Sequence, residues 1–324
     1  MIVCRTPLRI SLVGGGTDTP SFYEKHPGCV VSFAINKYVY IILNKKFDSN
    51  KVRVSYSVTE NVNHIGKIKH PIIRNMLEKY GSLMPDIPEI VSVADIPGEG
   101  SGLGSSSSFT VGLLNAIAEY SGFDQAQCWR FERQAFELER MSNPSIGKQD
   151  HYVASIGGFH RYDFLEDGEV MVTRVDGNWG EFHSHMLLLY TGVTRKSDDL
   201  LKFQKDGFDA GKTIEIGKIM VHESERFYNQ ILNGKIGEAA DTIHACWHLK
   251  RKLAQGISNE WIDKWYQDAM LNGAWGGKLC GAGGGGFLFF LAPPDAHDRI
   301  VQATGLQKVD FDIDREGSKI IYRS

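Results

Sequence analysis

Pro97-Gly98-Glu99-Gly100-Ser101-Gly102-Leu103-Gly104-Ser105-Ser106-Ser107-Ser108 stands between an apolar run, Glu89 to Ile96, and a segment, Phe109 to Tyr120, whose pattern predicts a helix. Four glycines within seven residues open backbone conformations closed to other residues, so successive N–H groups can converge on one anion. The serines add hydroxyl donors. The helix that follows has almost no acid in its first turns, and its unpaired N–H groups and dipole favour negative charge there. The stretch reads as a phosphate cradle with a field suited to a triphosphate, and Gly98, Gly100, Ser101, Gly102, Leu103, Gly104, Ser105, Ser106 and Ser107 are its candidate phosphate-binding residues.

Three better-known loops are excluded by spelling. A Walker A loop ends in Gly-Lys-Ser/Thr, whereas Ser105 follows Gly104 directly. A dinucleotide fingerprint needs a third glycine three residues after the second, where this chain has Leu103 or Ser105. No register supplies the Gly-x-Ser-x-Gly of a nucleophile elbow. The string resembles the second motif of the GHMP kinases, the superfamily of galactokinase, homoserine, mevalonate and phosphomevalonate kinases, whose pattern is Pro-x-x-x-Gly-Leu-Gly-Ser-Ser. Pro97 lies one residue earlier than in the shortest form of that pattern.

The chain has 324 residues, enough for two domains, and its 42% hydrophobic content supports a core in each. A net charge of −3 argues against a broad nucleic-acid-binding face. Five scattered cysteines without Cys-x-x-Cys spacing predict reduced thiols and a cytoplasmic protein. No leader pattern opens the sequence and no apolar run reaches spanning length, so no membrane partner is expected; the oligomeric state stays open, a homo-oligomer included.

Nearer the start, Arg5-Thr6-Pro7-Leu8-Arg9-Ile10-Ser11-Leu12-Val13 alternates as a strand does, with Arg9 and Ser11 on one face, and Gly14-Gly15-Gly16 then turns the chain into Thr17-Asp18. An arginine facing a pocket suits an anion, and an aspartate past a glycine turn suits hydroxyls. Alone, Arg9 equally fits a solvated edge-strand charge and Asp18 the N-cap of a helix entered at Pro20. The segment resembles the first GHMP motif. That resemblance implies that Gly15, Gly16, Thr17 and Asp18 bind the sugar substrate and that Arg9 approaches the transferring phosphate.

An amphipathic helix predicted over about Cys128 to Met141 ends in the turn Ser142-Asn143-Pro144-Ser145-Ile146-Gly147, so Glu139 and Asp150 flank one turn. In isolation Glu139 reads as an exposed helix acid and Asp150 as a cap. The stretch from Glu139 to Asp150 resembles the GHMP run from magnesium glutamate to catalytic aspartate. It implies Mg2+ bound by Ser106 and Glu139, the serine uncertain by one position within Ser105 to Ser108, and catalysis by Asp150 with Arg9. After a hairpin over Gly158 to Val175, a strand from His185 to Tyr190 runs into Arg195-Lys196, which suits a second, substrate-borne phosphate or equally a solvated loop. His244 and His248 stand at i and i+4 without the glutamate of a zinc helix and read as core or pocket residues. Lys278-Leu279-Cys280-Gly281-Ala282-Gly283-Gly284-Gly285-Gly286 resembles the third GHMP motif, which packs beside the phosphate loop and places Gly283 and Gly284 near the substrate.

Together the motifs imply an α+β chain with the GHMP kinase fold. Residues 1–180 would form an N-terminal ATP-binding domain like ribosomal protein S5 domain 2, and 181–324 a ferredoxin-like C-terminal domain. Within the superfamily, the spellings at 5–11, 14–18, 35–38 and 147–150 are most similar to the heptose 7-phosphate kinase branch. This implies ATP and a small-molecule sugar phosphate as partners, with no nucleic acid. A fucokinase-like or N-acetylhexosamine kinase, and a non-catalytic sugar-binding regulator, are the other readings.

Overall fold

The structure, a computed structural model, describes residues 1–47, 51–97, 100–123, 131–177, 179–194 and 198–324. The alternating opening segment is the strand Ile2–Val13, paired antiparallel with the 17-residue strand Gly28–Asn44. That long strand is shared, residues 39–44 pairing with Glu89–Ala94 and residues 28–33 with Phe159–Phe164. Val52–Ser55 and Thr59–Val62 form a hairpin that joins Glu89–Ala94 through a parallel pairing. Phe159–Phe164 continues into its own hairpin with Val170–Arg174. Lys319–Arg323 pairs with residues 2–5, so the eight-stranded first sheet takes in both ends of the chain. The division at residue 180 had left that last strand with the second half.

The second sheet is antiparallel and four-stranded, in the order Gln307–Lys308, Met186–Tyr190, Phe287–Leu291, Gly276–Leu279. The helices Asp198–Asp209, Ile214–Leu232, Ile236–Lys250, Glu260–Leu271 and His297–Thr304 belong to this half of the chain. The architecture is α+β, as the motifs imply.

From Thr6 onward the first strand is buried on every residue. The helices Ser105–Tyr120, Gln149–Ile156, Ile214–Leu232 and Ile236–Lys250 all pack against it. A Cβ at Gly112 would stand 2.6 Å from Thr6 Oγ1, so the Ser105–Tyr120 helix rests directly on the strand. Phe33 meets Phe159 of its own sheet and Phe289 of the other, and one apolar core runs between the two. Burial of those rings contributes about 1.5–3 kcal/mol each. Cys4, Cys29, Cys246 and Cys280 are free and buried; Cys128 lies outside the described residues. Among the described residues no helix is long and apolar enough to cross a membrane.

Candidate active site

Arg9 is the residue on which the pieces converge. It is 5% exposed, and its Nε and Nη2 donate to Asp150 Oδ1 and Oδ2 at 2.6 and 2.7 Å. Nη1 donates to the Gly102 carbonyl at 2.7 Å, and the backbone N–H of Arg9 donates to the Leu103 carbonyl at 3.0 Å. A two-point arginine–carboxylate pair is strong and fixes orientation. The solvated-charge alternative for Arg9 therefore fails, because packed helices cover this part of the strand.

Gly104, at φ +77°, caps the Ser105–Tyr120 helix with no side chain in that role and no acid in the first turn. A Cβ there would lie 3.2 Å from Arg9 Cγ and 3.3 Å from Asp150 Oδ2, so the loop passes directly over the ion pair. Asp150 sits in the first turn of Gln149–Ile156, whose N-cap is Lys148, and its side chain is 21% exposed.

The serines divide their duties. Ser101 and Ser105 share a hydrogen bond at 2.9 Å, and Ser108 donates to the Pro7 carbonyl at 2.8 Å. Ser106 and Ser107 instead reach the carboxylate of Glu139, which also accepts from Thr110 Oγ1 at 3.2 Å and pairs with His151 Nε2 at 2.7 Å. Glu139 is 4% exposed, not the exposed helix acid of the isolated reading. Burial alone would raise its pKa, but His151 and the two hydroxyls hold it below the usual carboxylate value. One ionised carboxylate beside a hydroxyl at a phosphate loop fits a hard cation that completes its shell with phosphate oxygens. The described residues hold no group of three or more His, Cys, Asp or Glu that could bind a metal by themselves.

Asp18 is no helix cap; Thr19 occupies that position, without a side-chain bond. The Asp18 carboxylate, in a residue 2% exposed, accepts the Gly16 N–H at 2.9 Å and the Gln149 N–H at 3.1 Å, which brings the glycine turn against the start of the Asp150 helix. Burial first, then the charge of Asp150, raises its pKa. Thr17 faces elsewhere: its hydroxyl donates to the carbonyls of Gly14 and Cys29 and fastens the turn to the long strand.

The third glycine loop lies on the phosphate loop. A Cβ on Gly281 would be 2.4 Å from Gly102 Cα, and one on Gly286 would be 2.2 Å from the Ser101 carbonyl oxygen. Gly283 and Gly284 pack instead on Ile257, whose carbonyl accepts the Gly284 N–H at 3.0 Å. Gly98, Arg195 and Lys196 lie outside the described residues. His244 bonds Tyr266 through Nδ1 at 2.7 Å and its neighbour His248 is exposed.

Sequence reasoning missed two lysines. Lys250 donates from Nζ to the Gly15 carbonyl at 2.8 Å and to Gln204 Oε1 at 3.0 Å, and Lys278 lies buried at the start of the third glycine motif. The position of Lys278 in that motif was the only available signal.

Comparison with known proteins points one way. The family models described as "GHMP kinases N terminal domain" and "GHMP kinases C terminal" match residues 63–158 and 228–305, together more than half of the chain. A D-glycero-alpha-D-manno-heptose 7-phosphate kinase from Campylobacter jejuni is 29% identical, over 97% of this chain and 97% of that protein. A bifunctional fucokinase/GDP-fucose pyrophosphorylase from Arabidopsis thaliana is 23% identical over 95% of this chain and 31% of its own. The crystal structure of a D-glycero-D-manno-heptose 1-phosphate kinase from Bacteroides thetaiotaomicron superposes over 100% of both chains, with a TM-score of 0.79 at 24% identity.

Proposed function

Because the chain belongs to the GHMP kinases, and its sugar-kinase relatives transfer phosphate to an alcohol, we propose that its acceptor is the anomeric hydroxyl of D-glycero-D-manno-heptose 7-phosphate. The product is the 1,7-bisphosphate, on a route to nucleotide-activated heptose in the cytoplasm. The Arg9–Asp150 pair beneath Gly104 carries the reading, since it sets a carboxylate and a guanidinium where a phosphoryl group on the loop would meet an incoming hydroxyl. Full-length similarity to a heptose 7-phosphate kinase supports the choice of sugar.

In this reading the loop from Gly98 to Ser107 and the helix it opens bind the phosphates of ATP. Asp150 takes the proton of the attacking hydroxyl, and a carboxylate bonded twice to arginine keeps lone pairs free for it. Arg9 holds Asp150 in place and faces the developing charge. Asp18 accepts hydrogen bonds from sugar hydroxyls. Ser106 and Glu139 hold Mg2+, which when bound offsets charge on the phosphate oxygens.

ATP consumption with magnesium, measured across free sugars and their terminal phosphates, tests the reading. Turnover centred on the heptose 7-phosphate is expected; turnover on fucose or N-acetylhexosamines with none on the heptose phosphate overturns it. A second measurement addresses Asp18. A Cβ at Gly147 would stand 1.9 Å from Asp18 Oδ2, so Gly147→Ala must displace that carboxylate. Acceptor KM should rise about 10–100-fold, as for loss of a charged hydrogen bond, with nucleotide Kd unchanged. An unchanged KM removes Asp18 from the acceptor site.

A further inference from the structure

The charges buried around the glycine turn do not balance. Arg9, Lys250 and Lys278 are 5, 7 and 6% exposed, against two carboxylates, Asp18 and Asp150. Arg9 and Asp150 satisfy one another in their two-point pair. Asp18 remains for two lysines, and its oxygens already accept two backbone N–H groups.

Lys250 uses two of its three donors on Gly15 and Gln204. The Lys278 ammonium donates to none of the described residues. Its nearest would-be counter-charges are thiols, and burial pushes Cys280 up to about 11 and Cys246 up to about 12, so neither is an anion at neutral pH. An ammonium held out of water without an anion is strongly disfavoured. The helix Ile236–Lys250 packs on the strand Gly276–Leu279 that carries Lys278, and burial first, then repulsion from Lys278, brings Lys250 down to about 7, while burial brings Lys278 down to about 8. An anion arriving between them would restore both charges.

We propose that Lys278 and Lys250 form a phosphoryl-anion site beside the Gly14-Gly15-Gly16 turn, so that the acceptor is a sugar already bearing a phosphate. The ligand chemistry is a phosphate monoester dianion reached by the free donors of both ammoniums, one from Lys250 on the helix under the glycine turn and up to three from Lys278 on the strand beside it. The proposal rests on the kinase reading above and assigns the side chains that would hold the phosphate of its acceptor. A phosphoryl group could also come from the nucleotide, and the two sources separate by which affinity changes.

The test uses Lys278→Met and Lys250→Met in the full chain, with Lys278→Arg as the charge-retaining control. Measured quantities are acceptor KM for the heptose 7-phosphate, the ratio of that KM to the KM for the unphosphorylated heptose, nucleotide Kd, and competition by inorganic phosphate. Lys278→Met should raise KM for the phosphorylated sugar about 10–100-fold, leave nucleotide Kd within about twofold, and abolish competition by inorganic phosphate. Lys278→Arg should keep that competition. An unchanged KM ratio overturns the site, and so does a loss confined to nucleotide Kd, which would assign the lysines to ATP. If Lys278→Met does not give a cooperative thermal transition, Lys250→Met decides by the same readings. Wild-type enzyme that uses the unphosphorylated sugar equally well overturns the lysine site but not the kinase reading. Inorganic phosphate that binds wild type and not Lys278→Met, with no sugar turned over, supports the site and overturns the acceptor assignment.

Discussion

Asp150→Asn is expected to lower kcat about 10²–10⁴-fold, the usual worth of general base assistance, with acceptor KM changed by less than about threefold. The side chain keeps its volume and one oxygen, so the position between Arg9 and Gly104 is still filled. What changes is charge and hydrogen-bond sense. An amide NH2 would replace one of the oxygens that Arg9 now holds at 2.6 and 2.7 Å, setting two donors against each other. On the proposed mechanism the proton of the sugar hydroxyl loses its acceptor in the same substitution. Steady-state kinetics at saturating ATP, with single-turnover measurements to isolate the chemical step, read the effect; a variant at full kcat removes Asp150 from the base role. Because the loss falls on the transition state, kcat and kcat/KM should fall together.

The second large effect is on stability. Gly281 has φ +74°, and a Cβ there would come within 2.4 Å of Gly102 Cα and 2.8 Å of the Gly102 carbonyl oxygen. Gly281→Ala therefore adds left-handed strain to a collision between two backbones, neither of which can rotate away, and should cost on the order of 2–5 kcal/mol. Gly234, at φ +69° with nothing within 4 Å of its Cβ position, supplies the control. Gly234→Ala should cost only the strain, about 1–2 kcal/mol. Urea denaturation of the two variants separates the terms, and nucleotide Kd should weaken in Gly281→Ala alone. Equal losses in both would mean that the two loops part without penalty.

How much of this was legible beforehand depended on whether a residue's role is local. The glycine loop and the helix it opens were, because glycine spacing and a helix start free of acid are properties of the sequence itself. Arg9, Asp18, Glu139 and Asp150 were singled out by resemblance, and their isolated readings as edge, cap and surface charges fail because the groups they bond come from elements far away in the chain. Glu139 is enclosed by the Ser105–Tyr120 helix and by His151, and nothing in its own helix announces that. Lys250 heads the run Lys250-Arg251-Lys252, which reads as solvated until the helix is seen to end under the glycine turn. The resemblance implies that Thr17 shares sugar recognition with Asp18. Its hydroxyl is a fastener, and only the pairing with Cys29 reveals it.

The pairing of Lys319–Arg323 with residues 2–5 also has a consequence for biogenesis. A ribosome adds about 5–20 residues per second, so the strand that completes this edge emerges tens of seconds after its partner. Throughout that interval the outer edge of residues 2–5 is an unpaired row of N–H and C=O groups, open to other nascent chains on the same polysome. Expression yield should therefore depend on chaperones that act during translation more than on the stability of the finished enzyme.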